Sequence, residues 1–285
     1  MQYEAPTTVE DAVGLLSKAK GTARVLAGGT DLLVQMRTGR VEPSLIVDIK
    51  KIPQIRKIKS EKGGFRVGAA VAGAEMSEHA AVCKAWPGIV EAFDLIGSTQ
   101  IQGRASMGGN LCNASPAADS VPALVAAGAT ATVAGPKGTR EVPVEKIPAG
   151  PGKTSLAKGE FVVDIVLPAR KAGTGDAYLR FIPRTEMDIA VVGVGICLTL
   201  DKSGTCTAAR VAVGAVAPTV LLVEDAAKAL IGTKLDDAAM AALDKAVQAA
   251  CKPIDDKRGT IAYRTKVSGV LARRAAAIAA ERAKG

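Results

Sequence analysis

Large rings are scarce in this sequence: one Trp, three Tyr and four Phe in 285 residues. A core must therefore be assembled from Ala, Val, Leu and Ile, and a 48% share of hydrophobic residues supplies the material. Histidine is reduced to His79, and the five cysteines, Cys83, Cys112, Cys197, Cys206 and Cys251, are widely spaced without a C-x-x-C pair. That pattern excludes the clustered ligands of zinc and iron–sulfur centres, so no metal ligands are expected in this chain and its thiols are expected to stay reduced. Long apolar runs are missing too. The longest, residues 189–200, falls well short of the ~20 residues a membrane helix needs. The polar opening Met1-Gln2-Tyr3-Glu4 does not read as a signal peptide, and a soluble cytoplasmic protein is the expectation.

Two familiar nucleotide motifs are also absent. Gly152-Lys153-Thr154 imitates the end of a P-loop, but Ile147 stands where that motif needs glycine and no long helix follows. No G-x-G-x-x-G follows a strand; Gly193 and Gly195 lie inside an extended apolar segment. His79 would have to serve any triad or covalent attachment alone. It sits in the polar stretch Ser77-Glu78-His79-Ala80, which reads as an exposed helix. No catalytic side chain is therefore assigned, and the chain is expected to hold and tune a cofactor that carries the reaction. The net charge of +9 is scattered and not interleaved with aromatics, which argues against nucleic acid and suits an anionic cofactor or an acidic partner.

Glycine, in contrast, is plentiful, with 30 residues. The length suggests two or three folding units, with boundaries expected at 1–57, 58–170 and 175–285 and a linker near 169–176. The first 55 residues read as a compact αβαβ unit: a helix after Thr7-Thr8, a strand at 24–27, an apolar-periodic segment through Met36 and a strand at 45–49. Helices are expected at 87–96 and 119–127, and strands at 130–133, 140–144 and 161–167, an alternation that predicts α+β with antiparallel pairing. Strands at 189–200 and 207–216 join through Asp201-Lys202-Ser203-Gly204, and helices follow at 223–231, 236–251 and 261–283.

The most informative segment is Ala27-Gly28-Gly29-Thr30-Asp31-Leu32, between a strand and a helix. Paired glycines let backbone approach a ligand and turn several N–H groups toward one point, and a pyrophosphate is the natural guest. A second such loop, Ser106-Met107-Gly108-Gly109-Asn110, is followed by Asn113, Ser115, Pro116 and Asp119 before another helix. Two small-residue loops with hydroxyl and amide side chains predict a flavin or nucleotide site gripped from opposite sides.

These segments resemble, jointly and over the whole length, the FAD-binding (medium) subunit of the molybdopterin dehydrogenases, the xanthine dehydrogenase and aerobic carbon monoxide dehydrogenase group. The first loop looks like its first flavin loop, the second like its TIGGN loop, and Asn113-Ala114-Ser115-Pro116-Ala117-Ala118-Asp119 like the segment whose aspartate reaches the flavin. Glu160-Phe161-Val162-Val163 resembles the strand that packs an aliphatic side chain on the ring, and Arg180-Phe181-Ile182-Pro183-Arg184 to Asp188-Ile189-Ala190 resembles the K/R-F…R…DxA segment. Tyr263-Arg264 and Leu271-Ala272-Arg273-Arg274-Ala275 look like the end of its C-terminal domain.

The resemblance implies a two-subdomain FAD-binding domain of the PCMH (vanillyl-alcohol-oxidase-like) type followed by an α+β domain of a small antiparallel sheet with helices. It also implies an oxidoreductase of three components: a molybdopterin-bearing large subunit, a small subunit with [2Fe-2S] clusters, and FAD in this chain passing electrons to NAD+ or another acceptor. By the same resemblance the two loops hold the pyrophosphate, Asp119 the ribose-ribitol side, and Ile96, Val162 and Arg180 shape the ring pocket. Arg180 replaces a frequent lysine and Ile96 a covering aromatic, and Lys and Arg are not equivalent donors. No cysteine-rich insertion of the hydroxybenzoyl-CoA reductase sort is present. The alternative is a stand-alone FAD-dependent oxidoreductase of the same fold.

Overall fold

The computed structural model describes residues 1–285. The chain opens on a three-stranded parallel sheet in which Leu45–Asp48 lies between Gln2–Glu4 and Ala23–Leu26. Its central strand is buried at all four positions, as the apolar run Leu45-Ile46-Val47 requires. The helix Val9–Lys18 begins where Thr8 accepts a hydrogen bond from the Asp11 N–H, and it buries Val9, Ala12 and Leu16. The strand Gln2–Glu4 is absent from the sequence reading. It is three exposed residues long and exists because Leu45–Val47, over forty positions away, supplies its ladder partners.

Five antiparallel strands follow in the spatial order Ile58–Glu61, Gly64–Gly68, Phe161–Leu167, Thr130–Gly135 and Gly138–Pro143. The last strand in sequence is thus the middle one in space. Among the helices carried by this region, Ser120–Ala127 is buried at all eight positions, which suits its hydrophobic surface on every side. It is wedged against the next sheet: a Cβ on Gly195 would stand 2.5 Å from the Pro122 carbonyl oxygen.

The third sheet runs Thr174–Phe181, Val192–Leu200, Cys206–Gly214, Leu221–Leu222, all antiparallel. The helices Glu224–Leu230, Asp237–Ala250 and Ile261–Lys284 pack their alanines and leucines onto it as a 23-residue cluster. A larger cluster of 43 residues fills the rest and takes in Tyr178 and Ala212 from this third sheet, so the two cores share a wall.

The expected linker at 169–176 is shorter than the glycines suggested, because the strand begins at Thr174. Gly175 serves close packing: its Cβ would run into the Ala279 carbonyl of the C-terminal helix. His79 is a second correction. It is half-buried, caps the helix Ala80–Ala85 by accepting the Val82 N–H at Nδ1, and stands edge-on to Phe65. Gly152-Lys153-Thr154 forms the turn and second strand of a small hairpin with Pro148–Gly150.

Candidate functional site

The strand Ala23–Leu26 ends in the first glycine loop, and the helix Leu32–Arg37 begins after Asp31. Gly29 adopts φ +82°, a left-handed conformation that favours glycine there. The backbone N–H groups of Gly28, Gly29, Thr30, Asp31 and Leu32 donate to no group of the chain, whereas Leu33 already bonds back to the Gly29 carbonyl. Five successive free donors on one turn leave unpaired N–H groups that an anion can accept from.

The second loop starts the helix Met107–Asn113, with Ser106 accepting the Gly109 N–H at 3.2 Å. The Met107 and Gly108 N–H groups have no partner within the chain. The Met107 side chain is fully buried in the core, so only its backbone is left for a ligand. A Cβ at Gly108 would stand 2.6 Å from that of Ala69, which fixes the loop onto the central sheet.

The two loops meet. A Cβ on Gly28 would overlap the Arg104 carbonyl oxygen and lie 3.3 Å from the Ala105 Cα, so the first loop rests directly on the residues leading into the second. Gln35 on the first helix donates to Asn113 on the second at 2.9 Å. The helices are six and seven residues long, so the free N–H groups themselves, more than any helix dipole, supply the positive potential.

Around this junction the remaining expected residues fall into two sets. Asn110 accepts from the Ser120 hydroxyl at 2.7 Å through its carbonyl oxygen, which leaves its amide hydrogens as donors. The Thr30 hydroxyl makes no bond within the chain, and Asp31 is exposed with its side chain unbonded. Val162 is buried in the central strand beside the bulge at Val163, whose carbonyl accepts the Ala69 N–H beneath Gly108. Leu32 and Ile96 are half-buried; Ile96 sits on the turn after the helix Pro87–Asp94, where its carbonyl accepts the Gln102 side-chain amide.

Asp119 carries the second set. Its carboxylate accepts from the Tyr178 hydroxyl at 2.8 Å and from Arg180 at 2.9 Å. The Arg180 side chain is 6% exposed, so this is a buried pair that ties the third sheet to the start of the helix Ser120–Ala127. Burial pushes the Asp119 carboxyl up to about 6 against the pull of Arg180 and Tyr178, and burial with the adjacent carboxylate pushes the Tyr178 phenol well above its ordinary value. Tyr178 was missed in the sequence, although its i, i+2 spacing from Arg180 puts both on one strand face. Lys50 and Tyr3 were missed as well; both belong to a bond network beneath the first loop. A surface cleft of about 590 Å³ between the first strand and first helix lies apart from both glycine loops.

Two glycine loops in contact, each presenting unpaired N–H groups and set on an α+β scaffold with a separate helix-backed sheet, define a protein that binds a diphosphate-linked cofactor. The comparisons with known proteins give that class its family. Residues 1–170 match the model of the FAD binding domain in molybdopterin dehydrogenase, and residues 177–279 match the CO dehydrogenase flavoprotein C-terminal domain. The carbon monoxide dehydrogenase medium chain of Afipia carboxidovorans is 35% identical over 99% of this chain and 97% of its own. The xanthine dehydrogenase FAD-binding subunit of Escherichia coli O157:H7 is 30% identical over 92% of this chain and 90% of its own. A solved carbon monoxide dehydrogenase from Hydrogenophaga pseudoflava, lacking the Mo-pyranopterin moiety of its cofactor, superposes with a TM-score of 0.94 at 33% identity, over 99% of this chain and 98% of that one. The chain belongs to the FAD-binding subunits of the molybdopterin dehydrogenases, an oxidoreductase family. No helix is long and apolar enough to cross a membrane.

Proposed function

We propose that this chain takes electrons from [2Fe-2S] clusters of a small partner subunit, reduced in turn by a molybdopterin-bearing large subunit, and passes them to NAD+ or another acceptor in the cytoplasm. Bound FAD supplies a centre that accepts electrons singly and releases them in pairs. The protein's part is to bind and orient it. The N–H groups of Gly28, Gly29, Thr30, Met107 and Gly108 would hold the pyrophosphate, with the Thr30 and Ser106 hydroxyls and the Asn110 amide adding side-chain donors.

Asp119 keeps acceptor capacity beyond its two bonds and would receive a hydroxyl of the ribose-ribitol chain. Arg180, held by Asp119, brings a fixed positive charge to the ring side, and Val162, Ile96 and Leu32 supply apolar surface. The residues 1–57 and 58–170 would act as the two halves of the cofactor domain, with 175–285 closing its far side through Tyr178 and Arg180.

The contact between the two loops, with their N–H groups unpaired, carries this reading. Calorimetric titration of the purified full chain with FAD is expected to show one site per chain and a visible flavin spectrum after gel filtration. A well-folded chain that takes up no FAD would overturn it. Steady turnover of an organic substrate by the isolated chain would favour the stand-alone oxidoreductase instead.

A further inference from the structure

The first loop is held from behind by a residue that the two flavin loops do not contain. Lys50 lies just after the strand Leu45–Asp48, with its side chain 21% exposed. Its ammonium donates to the Ala27 carbonyl at 3.0 Å and to the Asp48 carboxylate at 2.7 Å. Asp48 is buried and fully engaged: it also accepts the Tyr3 hydroxyl at 2.6 Å and the Lys50 N–H at 3.0 Å. Lys50 is therefore not a mobile surface lysine. Its charged end is anchored by two hydrogen bonds, one to a buried carboxylate and one to the last carbonyl before the glycines.

The consequence follows from peptide geometry. In a trans peptide the C=O and the next residue's N–H point in opposite directions. Pinning the Ala27 carbonyl toward Lys50 turns the Gly28 N–H away from it, and Gly28 opens the run of five N–H groups that find no partner in the chain. Glycine at 28 and 29 would otherwise let that peptide flip at little cost, since glycine populates both signs of φ.

We propose that Lys50 is a positioning residue for the cofactor's pyrophosphate: held by Asp48 and Tyr3, it locks the Ala27–Gly28 peptide so that the loop's N–H groups face the diphosphate before it arrives. Preorganised donors bind more tightly because the ordering cost is met during folding. The inference rests on the flavin reading of the site.

The test uses the full-length chain and FAD itself. Lys50→Met, which keeps the stem and removes the donor, is expected to raise the FAD Kd about tenfold, the effect of losing one charge-assisted hydrogen bond. Lys50→Arg, which keeps a donor, is expected to recover most of that loss. In the apo chain, amide exchange of the segment 27–32 should quicken in Lys50→Met while the strands of the first sheet keep their protection. An unchanged Kd, or exchange that quickens equally through the whole first sheet, overturns the proposal by reducing Lys50 to an ordinary structural tie. Tyr3→Phe loosens Asp48 without touching the lysine, so a chain in which Lys50→Met fails to fold is judged by this variant: weaker FAD binding supports the idea and equal binding sinks it. A wild-type chain that binds no FAD removes the flavin reading as well, whereas wild-type binding with equal binding by Lys50→Met removes this inference alone.

Discussion

At position 28 a single hydrogen atom separates two loops. The absence of a side chain there serves loop-on-loop packing against Arg104 and Ala105 as much as any ligand. Gly28→Ala is therefore expected to destabilise the apo chain by roughly 1–3 kcal/mol, the usual cost of overpacking, and to abolish FAD uptake. Thermal melts of apo protein alongside a flavin titration check both halves; an unaltered melt would show that the loops yield freely.

Asp119 makes a different kind of prediction. Burial raises its carboxyl from 3.8 to about 6, so the folded chain holds that proton more tightly than the unfolded one does. The resulting stabilisation is complete below the unfolded value and fades as pH rises through the folded one. Relative to Asp119→Asn, the wild-type chain should lose up to roughly 3 kcal/mol of stability between about pH 4 and pH 6. Urea unfolding at stepped pH measures this, and parallel curves for the two proteins would mean that Arg180 keeps the carboxylate charged throughout.

Among the elements, two glycines of similar appearance in the sequence have opposite weights. Gly14 lies in the helix Val9–Lys18 with open space where a Cβ would go. Gly14→Ala should stabilise the chain by about 0.5–1 kcal/mol through helix propensity alone. Gly175 lies in the strand Thr174–Phe181, where a Cβ would strike the Ala279 carbonyl and stand 2.7 Å from the Ala283 N–H nitrogen. Gly175→Ala should lower the melting temperature by several degrees by lifting the C-terminal helix off the sheet. Differential scanning calorimetry on the pair is decisive, because equal effects would contradict both assignments.

The helices Val9–Lys18 and Asp237–Ala250 were legible because their burial follows a local period. The strand Phe161–Leu167 and the helix Ser120–Ala127 declare themselves as apolar runs of the right length. The strands Gln2–Glu4 and Thr174–Phe181 did not, since the first is three residues long and the second opens with two glycine-flanked positions that read as a linker. His79 was misread for a related reason: a capping side chain looks like any other polar residue until the Val82 N–H is seen above it.

For the molecule as a whole, the region after residue 170 is bound to the cofactor region by buried charge as well as by apolar surface. Arg170 joins Asp176 at 2.9 Å, bonds the Ala85 carbonyl and lies over the Trp86 ring, while Arg282 of the C-terminal helix pairs with Glu91. Tyr178 and Arg180 reach across to Asp119. A fragment ending at residue 170 would leave Asp119 unpaired and would expose the buried helix Ser120–Ala127. It is expected to bind a hydrophobic dye and to unfold at lower urea than the whole chain; a fragment as stable as the parent would show that the shared wall between the two clusters carries little energy.

The composition, the α+β alternation, the two glycine loops and the resemblance they carry were all present in the order of the residues. Those features depend on local chemistry: which residues can turn tightly, which bury themselves, which donate N–H groups without competing side chains. Folding alone decided that Gly28 rests on Arg104, that Asp119 spends two bonds on Tyr178 and Arg180, and that Lys50 pins the Ala27 carbonyl. Each of these joins residues more than 20 positions apart, and no local period encodes a distance across the chain.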